Sequence, residues 1–138
     1  LGGKLQLAAW DFNNGFDNYQ WFRTETDVLY TVKNSWFERL WQDKTFREHV
    51  CERYGQLRKT TLSDEHIAEK IASYQEELGE AVDRNFKVWG YSFDENLLVG
   101  TDKEGRSRDI GSYEAAMKQL TDTIRERLAY LYKELGGN

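Results

Sequence analysis

The sequence predicts a mainly α protein, an antiparallel bundle of three to four helices packed against a short N-terminal β-strand or hairpin remnant. Three observations carry this reading. Proline is absent from all 138 residues, although an average usage of ~5% would supply several. Apolar residues recur at helical spacing through three long stretches, which gives each a stripe to bury. Each of these stretches follows a residue suited to accept from unsatisfied helix N–H groups: Asp43, Ser63 and Ser112.

Taken in order, Leu5, Leu7 and Ala9 alternate weakly and end on Trp10, the pattern of a short strand. Residues 11 to 33 read as an irregular, aromatic-rich connection with a second short strand over Val28 to Val32. "NSWFERLWQ" places Trp36, Phe37, Leu40 and Trp41 on one helical face. Beyond Asp43, the stripe is Phe46, Val50, Tyr54 and Leu57. Ser63 opens the next helix, with Asp64 and Glu65 beside the positive end of its dipole. Its stripe runs through Ile67, Ile71, Tyr74, Leu78, Ala81 or Val82, Phe86 and Trp89, which predicts one continuous helix ending at Gly90. "YSFDENLLVGTDKEGRSRDIG" is a polar connection with room for a hairpin. The last helix starts at Ser112 and turns Tyr113, Met117, Leu120, Ile124, Leu128, Leu131 and Leu135 inward, closing at Gly136 and Gly137. One domain is expected over 1–138, with a strand and Asx/aromatic element in 1–33 and a helical part in 34–138.

Composition narrows the function classes. Hydrophobic residues make up 39% and aromatics 14%, enough bulky surface for a packed core. The net charge of −5 argues against nucleic acid or an anionic membrane surface as partner. No run of ~18 apolar residues exists, so no transmembrane helix is expected. Cys51 is the sole cysteine, which excludes an internal disulfide and reads as a small core or boundary side chain. His49 and His66 fall on different helices with no histidine or cysteine at ligand spacing, so zinc is unsupported. The chain opens at Leu1, directly into the strand-like "KLQLAAW", and we expect a segment of a longer protein.

Chemistry concentrates in "WDFNNGFDN", where Asp11, Asn13, Asn14, Asp17 and Asn18 crowd together. A calcium loop of the EF-hand type fails, because counting from Asp11 puts Gly15 fifth, Phe16 sixth and Phe22 twelfth, where ligands, glycine and glutamate are needed. An Asx-rich turn is one reading: short polar side chains bond their own backbone and tolerate left-handed angles. Placement suggests another. A carboxylate at the tip of a buried strand, followed by a pliable loop, is how phosphoryl-transfer enzymes present oxygen to magnesium, as the Asp of the D-F-G element does in protein kinases. The surrounding aromatics, Trp10, Phe12, Phe16, Tyr19, Trp21 and Phe22, fit a core or a sugar-stacking surface.

Several segments together resemble the C-terminal part of the CotH family of kinase-like proteins, named after a bacterial spore-coat protein. "WDFNNGFD" is similar to that family's W-D-[FYL]-[DN]-x-[AS]-F-G element from Trp10 through Phe16. "SWFERLWQDKTFREHVCERYGQLRKTTLS" resembles its W-F-x-x-L…D-x-x-F…R-(W/Y)…L-R…L-S region through Trp36, Phe37, Leu40, Asp43, Phe46, Arg53, Tyr54, Leu57, Arg58 and Ser63. "EAVDRNFKVWG" resembles the A-x-x-R-N-x-x-x-W-G that follows, and "IRERLAYL" the closing R-[LI]-x-[WY]-L. Two positions depart from the pattern: Gly15 replaces a small Ala or Ser, and Asp17 stands where glycine is usual.

The resemblance implies the C-terminal subdomain of an atypical kinase-like fold, which in the full-length protein transfers phosphate from ATP to serines of secreted or surface proteins. It makes Asp11 the metal-holding aspartate and Asn13 a supporting contact to the cofactor, with magnesium and ATP bound by the full-length protein and no cofactor expected in this segment alone. The nucleotide-gripping lobe and the catalytic-loop Asp would precede Leu1, so no catalytic residue is assigned within this chain. Expected partners are protein substrate, coat or surface proteins, and the N-terminal lobe of the same parent chain. The implied location is a bacterial surface, the exterior or the spore coat. Two other classes stay open: a non-catalytic coat or surface interaction domain, and a carbohydrate-binding module using the aromatics of residues 10–22.

Overall fold

A computed structural model describes residues 13–17, 25–29, 33, 35–89, 110 and 112–136. It is mainly helical, and no strand occurs among the described residues. A 3₁₀ turn, Asn13–Phe16, is followed by α1 (Ser35–Gln42), α2 (Lys44–Arg58), α3 (Asp64–Leu78), α4 (Ala81–Trp89) and α5 (Tyr113–Leu131), and a π turn at Tyr132–Gly136 ends the order. The first predicted strand lies outside the described residues. Of the second, Val28 and Leu29 are irregular and Tyr30 to Val32 lie outside.

The helix starts follow from local chemistry. The Asp43 carboxylate accepts from the Phe46 amide at 2.8 Å. The Ser63 and Ser112 hydroxyls accept from the amides of His66 and Ala115, each at 3.1 Å. Each cap satisfies one donor that the first turn leaves free. Between α1 and α2 the chain turns on a single residue, with the Asp43 amide donating to the Leu40 carbonyl at 3.0 Å.

The third stripe does not form one helix. It breaks at Gly79, which ends α3 with φ 42° and ψ −130° while its amide donates to the Gln75 carbonyl. Glycine takes this backbone at no steric cost, and the apolar stripe resumes in α4. A Cβ at Gly79 would meet only the Glu76 carbonyl oxygen, at 3.5 Å, so the penalty for any other residue is conformational. Gly79→Ala is expected to cost about 1–3 kcal/mol, measured as a lower urea midpoint with unchanged slope.

Packing centres on the chain's last third. The π turn lies against both α2 and α5, α1 lies on α2, and the 3₁₀ turn lies on α5. Among the described residues the buried hydrophobic side chains are Tyr54, Leu128 and Leu135, one from each of α2, α5 and the π turn. Ile67, Ala68 and Ile71 of α3 line a small cavity with Thr121, Ile124 and Leu128 of α5. Further along α3 the predicted inward face turns to solvent, with Tyr74 57% and Leu78 51% exposed. In α1, Phe37 and Trp41 are half-buried, whereas Trp36 is 82% exposed. Among the described residues, no helix is long and apolar enough to cross a membrane.

Candidate functional site

Asp11 lies outside the described residues, as does the side chain of Asn13, whose backbone begins the 3₁₀ turn. The structure instead shows how the turn just after Asp11 is held. Gly15 has open space where a Cβ would stand, so the Ala or Ser of the resembling pattern would fit there too. Phe16 is half-exposed, and the other aromatics of the stretch lie outside the described residues.

Asp17 then adopts φ 60°. This is the left-handed region, open to glycine without strain and, among other residues, best tolerated by Asn and Asp. The aspartate at the pattern's glycine position therefore keeps a glycine-like backbone. It is also only 2% exposed, and a buried carboxylate needs hydrogen-bond donors. Gln119 of α5 supplies two contacts through one amide nitrogen: 3.2 Å to the Asp17 carbonyl oxygen and 3.1 Å to its Oδ2.

The same face of α5 holds a second part of the N-terminal segment. The Arg127 guanidinium donates to the carbonyls of Thr26, at 3.0 Å, and Val28, and the Thr26 hydroxyl donates to Glu126 at 3.3 Å. Positions 119 and 126–127 are two helical turns apart, hence on one stripe. Arg127 also stands over the Tyr130 ring, 5.6 Å from its centroid. In the closing motif, Arg127 thus carries the N-terminal segment while the next residue, Leu128, fills the core.

Leu128 meets the other motif tyrosine. The Tyr54 hydroxyl donates to the Leu128 carbonyl at 3.0 Å in a buried contact. Burial pushes the Tyr54 phenol above its ordinary range, while Arg58 and Arg127 pull it partly back. Arg58 ties the corner between α2 and α3: its guanidinium donates to the Leu62 carbonyl and, at 3.0 Å, to Asp64. The motif residues Tyr54, Arg58, Ser63 and Arg127 therefore serve corners, caps and tethers. Nothing in the sequence singled out Gln119, whose partner lies 102 residues away.

Asp11 and Asn13 together offer a carboxylate and an amide oxygen, hard donors of the kind magnesium prefers over the softer nitrogen and sulfur ligands of zinc or copper. Among the described residues, no group of three or more His, Cys, Asp or Glu side chains could hold a metal ion. What the described residues do is position: donors from α5 fix carbonyls and a carboxylate of the segment that carries Asp11.

A family model described as CotH kinase protein matches residues 1–131. No curated protein and no solved structure matches. The family match spans the Asx-rich element, the capped helices and the Arg127–Leu128 motif alike, and the chain belongs to the CotH kinase protein family.

Proposed function

We propose that this chain is the C-terminal segment of a kinase-like phosphotransferase, with the strand and Asx/aromatic element in 1–33 and the helical subdomain in 34–138. In the full-length protein Asp11 holds magnesium between the phosphates of ATP, Asn13 supports that contact, and phosphate passes to serines of secreted or surface proteins. Bound magnesium neutralises the charge that develops on the phosphate oxygens. The helices brace the Asp11 element and receive protein substrate. The segment alone transfers no phosphate, because the lobe that grips nucleotide and the aspartate that orients the acceptor hydroxyl belong to the preceding part of the parent chain.

The observation that carries this reading is the family match across the whole Asx-rich element. The turn supports it: Gly15 leaves room for the family's small side chain, and Asp17 keeps the backbone that a glycine would take. Both departures from the family element therefore leave the loop geometry open to the same use.

Calorimetric titration of the full-length protein with ATP and magnesium tests it. Asp11→Ala is expected to weaken magnesium-dependent ATP binding by at least the ~10–100-fold seen when partners behind a metal ligand are lost. Equal affinity of the two proteins would refute the metal role.

A further inference from the structure

We propose that Gln119 is a positioning residue for the Asp11 element: its side-chain amide latches the turn that follows and so sets the strength of the magnesium contact. The proposal rests on the nucleotide reading above, and the geometry behind it is independent of that reading. One nitrogen of Gln119 reaches both the main-chain oxygen and the carboxylate of Asp17, which fixes the residue's peptide plane and its side chain together. Asp17 is nearly sealed from water and sits at a positive φ, a conformation that an L-residue keeps only when its surroundings hold it there. Five residues separate Asp17 from Asp11, and four of them form the 3₁₀ turn. Rotating the Asp17 peptide therefore shifts the exit of that turn, whose first residue, Asn13, follows Asp11 by two positions in the sequence. The latch also stands on the same stripe of α5 as Arg127, which holds the carbonyls of Thr26 and Val28 further along the chain.

Three full-length variants test the proposal. Gln119→Met keeps side-chain length and helix propensity but removes the donor. Gln119→Glu keeps the shape and sets a second carboxylate against Asp17. Asp11→Ala serves as the metal control. For each, ATP affinity is measured with and without magnesium, and amide hydrogen exchange is followed at residues 13–17. Gln119→Met is expected to lose ~10-fold of the magnesium-dependent gain in affinity, to keep metal-free ATP affinity, and to exchange faster at 13–17. Gln119→Glu should lose more. A residue that merely stabilised the fold would lower the melting temperature and leave the magnesium-dependent ratio alone. Unchanged exchange at 13–17 in Gln119→Met overturns the latch, whatever the nucleotide does. Faster exchange with an unchanged magnesium-dependent ratio overturns its link to the metal. A wild-type protein with no such gain, or with a gain equal to that of Asp11→Ala, overturns the nucleotide reading and the link with it, and exchange then decides the latch by itself.

Discussion

Tyr54→Ala is expected to destabilise the protein by about 3–5 kcal/mol, the range for truncating a large buried aromatic. The ring is 7% exposed and stands where α2, α5 and the π turn meet, so its removal opens a cavity that three elements would have to close. Gly136 shows how tight the junction is: a Cβ there would lie 3.0 Å from the Tyr132 ring and 3.4 Å from the Tyr54 ring. Tyr54→Phe separates the hydroxyl from the ring. It should cost only about 1 kcal/mol, because the Leu128 carbonyl also accepts from the Tyr132 amide at the end of α5. Urea denaturation of the two variants measures both terms. A Tyr54→Ala cost below that of Tyr54→Phe would mean that the ring is not a core element.

The same phenol gives a pH dependence. Its folded pKa is raised above the ordinary value of 10.0, chiefly by burial. The neutral form is thus favoured by folding, and the stabilisation is complete below the unfolded pKa. It is lost as pH rises through the folded pKa, where the proton that bonds Leu128 leaves. Stability should therefore fall on the alkaline side in the wild type, and fall less in Tyr54→Phe, when urea midpoints are followed upward from about pH 8.

Arg127→Met carries the second large effect. The guanidinium makes two charge-assisted bonds to carbonyls of the N-terminal segment, and bonds to charged groups contribute about 1.5–3 kcal/mol each. Because Arg127 is half-buried and its loss returns both carbonyls partly to water, a net cost of about 2–4 kcal/mol is expected. Methionine keeps the helix propensity and the apolar stem, so the loss reports on the tether. Hydrogen exchange at residues 25–29 should rise by more than that of α2. Equal protection in both proteins would show that the segment is held by something else.

Helix starts were legible because they are short-range: Asp43, Ser63 and Ser112 cap the helices that their sequence context announces. The break at Gly79 was not legible, since a helical stripe continues across it and one glycine inside a periodic run is compatible with a helix. Burial was only partly readable. Tyr74 and Leu78 share the stripe of Ile67 and Ile71, and periodicity states which face is apolar without stating how far a neighbour covers it. The family resemblance did mark Tyr54, Arg58 and Arg127 as positions, yet their tasks depend on partners brought near by folding. Gln119 left no trace at all, because a lone glutamine in a helix has no signature until its distant acceptor is known.

That distance has a consequence for how the chain comes into being. Arg127 and the Thr26 carbonyl are 101 positions apart, so during synthesis the opening stretch leaves the ribosome long before its holder exists. At ~5–20 residues per second, it waits roughly 5–20 s without the tethers that α5 supplies. Completion of this element therefore waits for α5, and a chain stalled before that helix lacks the Gln119 and Arg127 contacts that hold Asp17, Thr26 and Val28.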